Sequence, residues 1–221
     1  MLLKHRPPGI ESHPVKLRKG VEHVDQKSVA VLRWLIANKV DFVVVGPVAH
    51  ALRGDLNAAG PVAVVLAPYG RNIERLCNAL VAEHAGLRAD RTRTGLAFGH
   101  EVVPVKLTAD KLARGKRWML RFGEYDLDIE AAGSRGGPGG GQGALAPRFQ
   151  ELLYESNRVE LATGLAVEVA SPEDLEHYSH VRRTGAAPEF RVTRKPAPDE
   201  EPAELAEGDP QAEPAEGDPQ A

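Results

Sequence analysis

The sequence predicts a mixed α/β fold, and three patterns carry the prediction. Two short apolar runs, 40–45 and 61–67, have the length of buried strands. Between and after them, apolar residues recur three and four positions apart, the spacing of one helix face. From about residue 95 to 130 short apolar stretches recur between polar ones, as in a set of paired strands. The longest apolar runs fall far short of the roughly 20 residues that span a bilayer, so no membrane partner is expected.

The elements follow in order. Residues 1–20 carry five basic residues (Lys4, Arg6, Lys16, Arg18, Lys19) and little periodicity, and read as an arm, mobile or draped over the domain. A helix is expected over 28–39, with Val31, Leu32, Leu35 and Ile36 on one stripe. The strand 40–45 runs into Gly46-Pro47 and a short helix over 48–53, where Pro47 suits a first helical position because its missing N–H has no partner there. After the strand 61–67 comes an amphipathic helix over 70–84, with Ile73, Leu76, Leu80 and Val81 facing inward. A meander is expected next, with strands at 96–98, 102–107, 118–122 and 125–130. Glycine supplies seven of the eleven residues over 133–143, a flexible loop. A helix over 147–157 and a hairpin of 158–161 with 165–170 follow. The last helix opens with Ser171-Pro172-Glu173-Asp174, a Ser cap followed by proline and acids in the first turn. The domain spans 21–195.

The chain has 221 residues, 28 Lys+Arg against 31 Asp+Glu, and one cysteine, which excludes an internal disulfide framework and a cysteine-based zinc cluster. The N-terminus has no apolar signal region, so a soluble cytoplasmic protein is the default. The net charge of −3 hides a split: nine of the acids, and no basic residue, lie over 198–221, leaving 22 acids against 28 bases elsewhere. In the acidic segment 196–221, Ala206-Glu-Gly-Asp-Pro-Gln-Ala212 recurs as 215–221. Such a composition cannot bury enough apolar area to offset the entropy of ordering, so disorder is expected. The tail reads as a solubilising segment or as an intramolecular competitor for the basic body.

Two basic clusters, Lys106, Lys111, Arg114, Lys116, Arg117, Arg121 and Arg182, Arg183, Arg191, Arg194, Lys195, suit a solvated surface, RNA phosphates or a protein partner. Aromatic residues among them are few, which weakens base stacking. Asp126, Asp128 and Glu130 alternate along one strand and so share a face. That face reads as a polar outer surface, a residual metal site, or a face for a basic partner. His177 and His180 lie three apart on a helix without a third ligand nearby. His50 follows the glycine turn, within reach of a phosphate, but helix packing is the better reading. Asp55 suits a turn, Cys77 a small apolar position, and the Gly-rich match from Gly139 lacks the flanking strand and helix of a dinucleotide loop.

Val43-Val-Val-Gly46-Pro47-Val48-Ala49-His50-Ala51-Leu52-Arg53-Gly54 resembles the opening of minimal nucleotidyltransferase-fold proteins, including the bacterial type found in toxin–antitoxin systems. Asn72-Ile-Glu-Arg-Leu-Cys-Asn-Ala-Leu80, Phe122-Gly-Glu-Tyr-Asp126-Leu127, Phe149-Gln-Glu-Leu-Leu153 and Val167-Glu-Val-Ala-Ser-Pro-Glu-Asp-Leu175 resemble later parts of that family, covering about 150 residues in order. The resemblance implies a nucleotidyltransferase-like mixed sheet flanked by helices, nucleotide-binding positions at Gly46, Pro47 and His50, and a third metal carboxylate at Asp126. Such chemistry sets two divalent metals across the attacking and leaving oxygens, held by carboxylates. Here Pro61 and Ala63 align with the paired aspartates, and neither ligates a metal. Pro47 removes one phosphate-binding N–H, and Tyr178-Ser179-His180 stands where the family usually has a lysine.

The expectation is therefore a chain that has lost catalysis and serves as a non-catalytic binding or regulatory module with no cofactor, its partner left open between an unknown protein and RNA on the basic surface. The alternatives are an active transferase, with Mg²⁺ at Asp126 and Asp128, moving an NMP from NTP to a protein or RNA acceptor, and an RNA-associated protein autoregulated by its acidic tail.

Overall fold

The computed structural model describes residues 6–88, 102–114, 117–132 and 147–184. The strand expected at 96–98, the glycine-rich segment 133–143 and the acidic tail 196–221 lie outside the described residues. Among the described residues, six helices flank one eight-stranded mixed sheet, so the chain is an α+β protein.

The helix α1 (Gln26–Ala37) starts where the Asp25 carboxylate accepts the Ser28 backbone N–H at 3.1 Å. Next come β1 (Phe42–Val45), α2 (Gly46–Leu52), β2 (Val62–Leu66), α3 (Gly70–Ala82), β3 (Gly86–Arg88) and β4 (Val102–Val103). The second half holds α4 (Ala109–Arg114), β5 (Trp118–Phe122), β6 (Tyr125–Glu130), α5 (Phe149–Glu155), β7 (Asn157–Ala162), β8 (Leu165–Val169) and α6 (Pro172–Thr184). Ser171 caps α6 as its sequence predicts: its Oγ accepts the Asp174 backbone N–H at 3.2 Å and lies 3.0 Å from the Asp174 carboxylate.

Strand order is β4-β3-β5-β6-β2-β1-β8-β7. β2 lies at the centre, antiparallel to β1 and parallel to β6, and β1 runs parallel to β8. All residues of β1 and β2 are buried, which explains their unbroken apolar composition. Alternation separates the two faces of β5 and β6. Leu120, Phe122, Tyr125, Leu127 and Ile129 are buried on one, where Trp34 of α1 meets Phe122 with ring centroids 4.9 Å apart. The acids of β6 lie on the other, where Arg182 of α6 reaches Asp128 and Glu130.

Two expectations change, and a third, left open between two alternatives, is decided. The stretch before β5 is not a simple meander, because β3 intervenes between β4 and β5 and α4 occupies 109–114. Val81 does not face inward: the inner stripe of α3 is Ile73, Leu76, Cys77 and Leu80, and Val81, about 100° further round, is 52% exposed. The N-terminal arm is draped over the domain from residue 6. Asn38 Nδ2 donates to Pro8 O at 3.0 Å, Gln26 bonds both the N–H and the C=O of Val15, and the Arg18 N–H donates to Leu161 O at 2.8 Å on the edge strand β7.

Candidate functional site

The acids of β6 meet a matching set of arginines. In the β5–β6 ladder Arg121 is the partner of Asp126, and Arg117 stands two steps along the same face. Arg88 ends β3, the next strand over, and Arg182 reaches down from the last turn of α6. Arg121 holds Asp126 in a fork, Nε to Oδ1 at 2.6 Å and Nη2 to Oδ2 at 2.8 Å. Arg88 bridges Asp126 at 3.2 Å and Asp128 at 2.7 Å. Asp128, with no exposed surface, also accepts from Arg182 at 2.8 Å and Arg117 at 3.4 Å. Glu130 Oε1 lies 3.2 Å from Arg117 Nε and 3.7 Å from Arg182 Nη1.

Four guanidinium groups thus answer three carboxylates on a face largely withdrawn from water. Burial works to raise the Asp126 pKa, but the Arg121 hydrogen bonds and the charges of Arg88 and Arg121 outweigh it and hold the carboxyl below its usual range. For Glu130 burial prevails over Arg117 and Arg182, with the Asp128 charge adding to it, and the pKa rises. Arg121 is raised in turn, chiefly by its hydrogen bonds to Asp126. The expected polar outer face is corrected: Asp128 and Glu130 are buried beneath arginines. The basic cluster around Arg117 and Arg121 likewise turns two of its members onto these acids.

Gly46 and Pro47 open α2, and His50 lies one turn on. They line a cleft of about 500 Å³ together with Ser179, Arg182 and Arg183. His50 Nε2 lies 3.1 Å from Ser179 Oγ, which ties α2 to α6. Arg53, at the end of α2, donates to Ala170 O at 2.8 Å and fixes that helix to the end of β8; burial lowers its pKa. Arg182 joins the two regions: it lines the cleft and also reaches the acid face. His177 is buried against Tyr178, and its companion His180 builds no site with it; among the described residues no group of three or more His, Cys, Asp or Glu is arranged to hold a metal ion.

A divalent metal needs carboxylate oxygens open to it. Both oxygens of Asp126 and both of Asp128 are engaged by guanidinium groups. On the neighbouring strand Ala63 is the ladder partner of Asp128 and offers no ligand, and Pro61 precedes the strand. The residues present do not fit Mg²⁺. The sequence marks Arg117 and Arg182 only as members of basic clusters and does not single out Arg88. The readable signal is the alternation Arg117-x-x-x-Arg121 facing Asp126-x-Asp128 across a tight turn; the approach of Arg88 and Arg182 depends on the sheet order.

Fold and site together define an α+β protein with an internally neutralised acid–arginine face beside an open cleft. No protein-family model, no curated protein and no solved structure matches the chain.

Proposed function

We propose that this chain is a non-catalytic binding or regulatory module on a nucleotidyltransferase-like scaffold. One observation carries the reading: Asp128, beside the aligned position of a lost metal ligand at Ala63, gives both carboxylate oxygens to arginines. Guanidinium cations neutralise the face that metals neutralise in an active enzyme of that fold. Releasing Asp128 to bind Mg²⁺ would leave Arg88, Arg117 and Arg182 short of a counter-charge in a poorly solvated site, a costly exchange. The cleft at Gly46, Pro47 and His50 stays open and is the natural place for a ligand held without metal.

Isothermal titration with each of the four NTPs, with and without Mg²⁺ or Mn²⁺, tests the reading. Metal-independent binding, or none at near-millimolar concentrations, is expected. Metal-dependent binding that disappears in Asp126→Asn would overturn it and restore a transferase acting through Asp126 and Asp128.

A further inference from the structure

A second concavity, on the side of α1 and α3, has a different character. The ends of α1 and α3 form two walls, and Pro7 and Pro8 of the arm close a third, giving a groove of about 780 Å³. Half-exposed Val81 lies in it, an apolar surface left uncovered on a helix whose other large apolar residues are buried. Arg6, Lys39 and Arg75 line the groove, and among the described residues no carboxylate does. Apolar floor and cationic rim together select an acidic peptide with an apolar anchor.

The sequence contains such a peptide. Over 198–221 there are nine acids and no base, and Leu205 is the one large aliphatic residue. Glu200, Glu201 and Glu204 precede it and Glu207 follows. We infer that the groove receives segment 200–207 of this chain, with Leu205 against Val81 and the flanking glutamates on Arg6, Lys39 and Arg75. Chain length allows it. From Thr184, where α6 ends, Leu205 is 21 residues away, a reach of up to about 70 Å, and a domain of this size is about 40 Å across. Tethering keeps the segment at an effective concentration on the order of millimolar, so a few exposed ion contacts and one apolar contact suffice to hold it. Docked in this way, the tail occupies the groove until a stronger acidic ligand displaces it. The inference is independent of the proposed function, because the groove shares no residue with the acid–arginine face or the α2–α6 cleft.

The test uses the full chain with a benzophenone amino acid in place of Leu205, photolysed at low salt and mapped by mass spectrometry. Crosslinks within one chain to residues 78–82 or 37–39 are expected. They should fall about fivefold or more in Arg6→Glu/Lys39→Glu, the order expected when two exposed ion contacts are reversed. The tail variant Glu200→Gln/Glu201→Gln/Glu204→Gln/Glu207→Gln should lose them similarly, and it leaves the folded body untouched. Crosslinks to Arg182 or Arg183, crosslinked dimers, or no crosslink would each overturn the assignment, as would full insensitivity to both sets of substitutions. Added single-stranded RNA that abolishes the crosslink and itself crosslinks to the groove would assign the groove to nucleic acid instead.

Discussion

Ala63 on β2 and Asp128 on β6 are partners in a parallel ladder, so the smallest side chain of β2 lies beside a fully buried acid. A Cβ added to Gly46 would stand 3.0 Å from the Ala63 Cβ and 2.7 Å from Arg182 Nη1. The guanidinium of Arg182 therefore lies in the space that small residues at 46 and 63 leave open. The small residues at 46 and 63 and the entry of an arginine from α6 are two sides of one packing solution.

The central acid should matter to stability. Asp128→Asn removes the charge that balances Arg88, Arg117 and Arg182 where water offers little compensation. Breaking a buried charge network on one side costs about 3–5 kcal/mol. For a domain of this size the melting temperature should drop by about 10 °C. Thermal denaturation followed by circular dichroism reads it, and a drop of only a degree or two would mean that the arginines do not depend on Asp128.

Gly46→Ala probes the space that Arg182 fills. Gly46 has φ +67°, where a side chain is strained, and its new methyl would press on Arg182. Gly164 has φ +75°, and a methyl added there would meet nothing within 4 Å, so Gly164→Ala carries the backbone cost alone. Chemical denaturation should show about 1 kcal/mol lost in Gly164→Ala and roughly twice that in Gly46→Ala. Equal losses would show that Arg182 moves aside freely.

The acid face should respond to pH with two opposite signs. Asp126 has a depressed pKa, so its contribution is present above its ordinary value of 3.8 and disappears as pH falls through the lower folded value. Glu130 has a raised pKa, so its ionisation weakens the fold as pH rises from 4.5 through the higher folded value. Asp126→Asn should flatten the stability profile below pH 3.8, and Glu130→Gln should flatten it just above pH 4.5. Urea titrations across acidic pH read both slopes. Unchanged profiles in the two variants would remove these residues as the source of the pH dependence.

Local pattern makes most elements legible, and long-range pairing hides the site. The apolar runs of β1 and β2, the Ser171 cap and the alternation of β6 are properties of short segments, and each element forms where its segment predicts. β3 escapes a reading by pattern because Gly86-Leu87-Arg88 is too short to show a period. Val81 reads as inward because an i, i+4, i+8 stripe is broad enough to include its edge; the structure gives that edge to the groove. The acids are visible as a set, but their burial is not, since the arginines that cover them come from three elements spaced up to 94 residues apart, from Arg88 to Arg182. Charge patterns along one strand say which residues share a face, and only the sheet order says what faces them.

The arm offers a last test, because its attachments are polar and near the surface. Beside its N–H bond to Leu161, Arg18 pairs with Glu160 at 2.8 Å, and Gln26 grips Val15 through both amide groups. These contacts hold Lys16, Arg18 and Lys19 against the domain, where trypsin requires the backbone to open locally. Each is partly exposed, so each is worth at most about 1 kcal/mol. Gln26→Ala/Glu160→Ala should accelerate tryptic cleavage within 16–19 by about fivefold while the melting temperature of the body shifts little, since opening of the arm does not require unfolding of the sheet. If cleavage accelerates only in step with global destabilisation, the arm is part of the same cooperative unit as the sheet, and its contacts guard the whole domain instead of one strap.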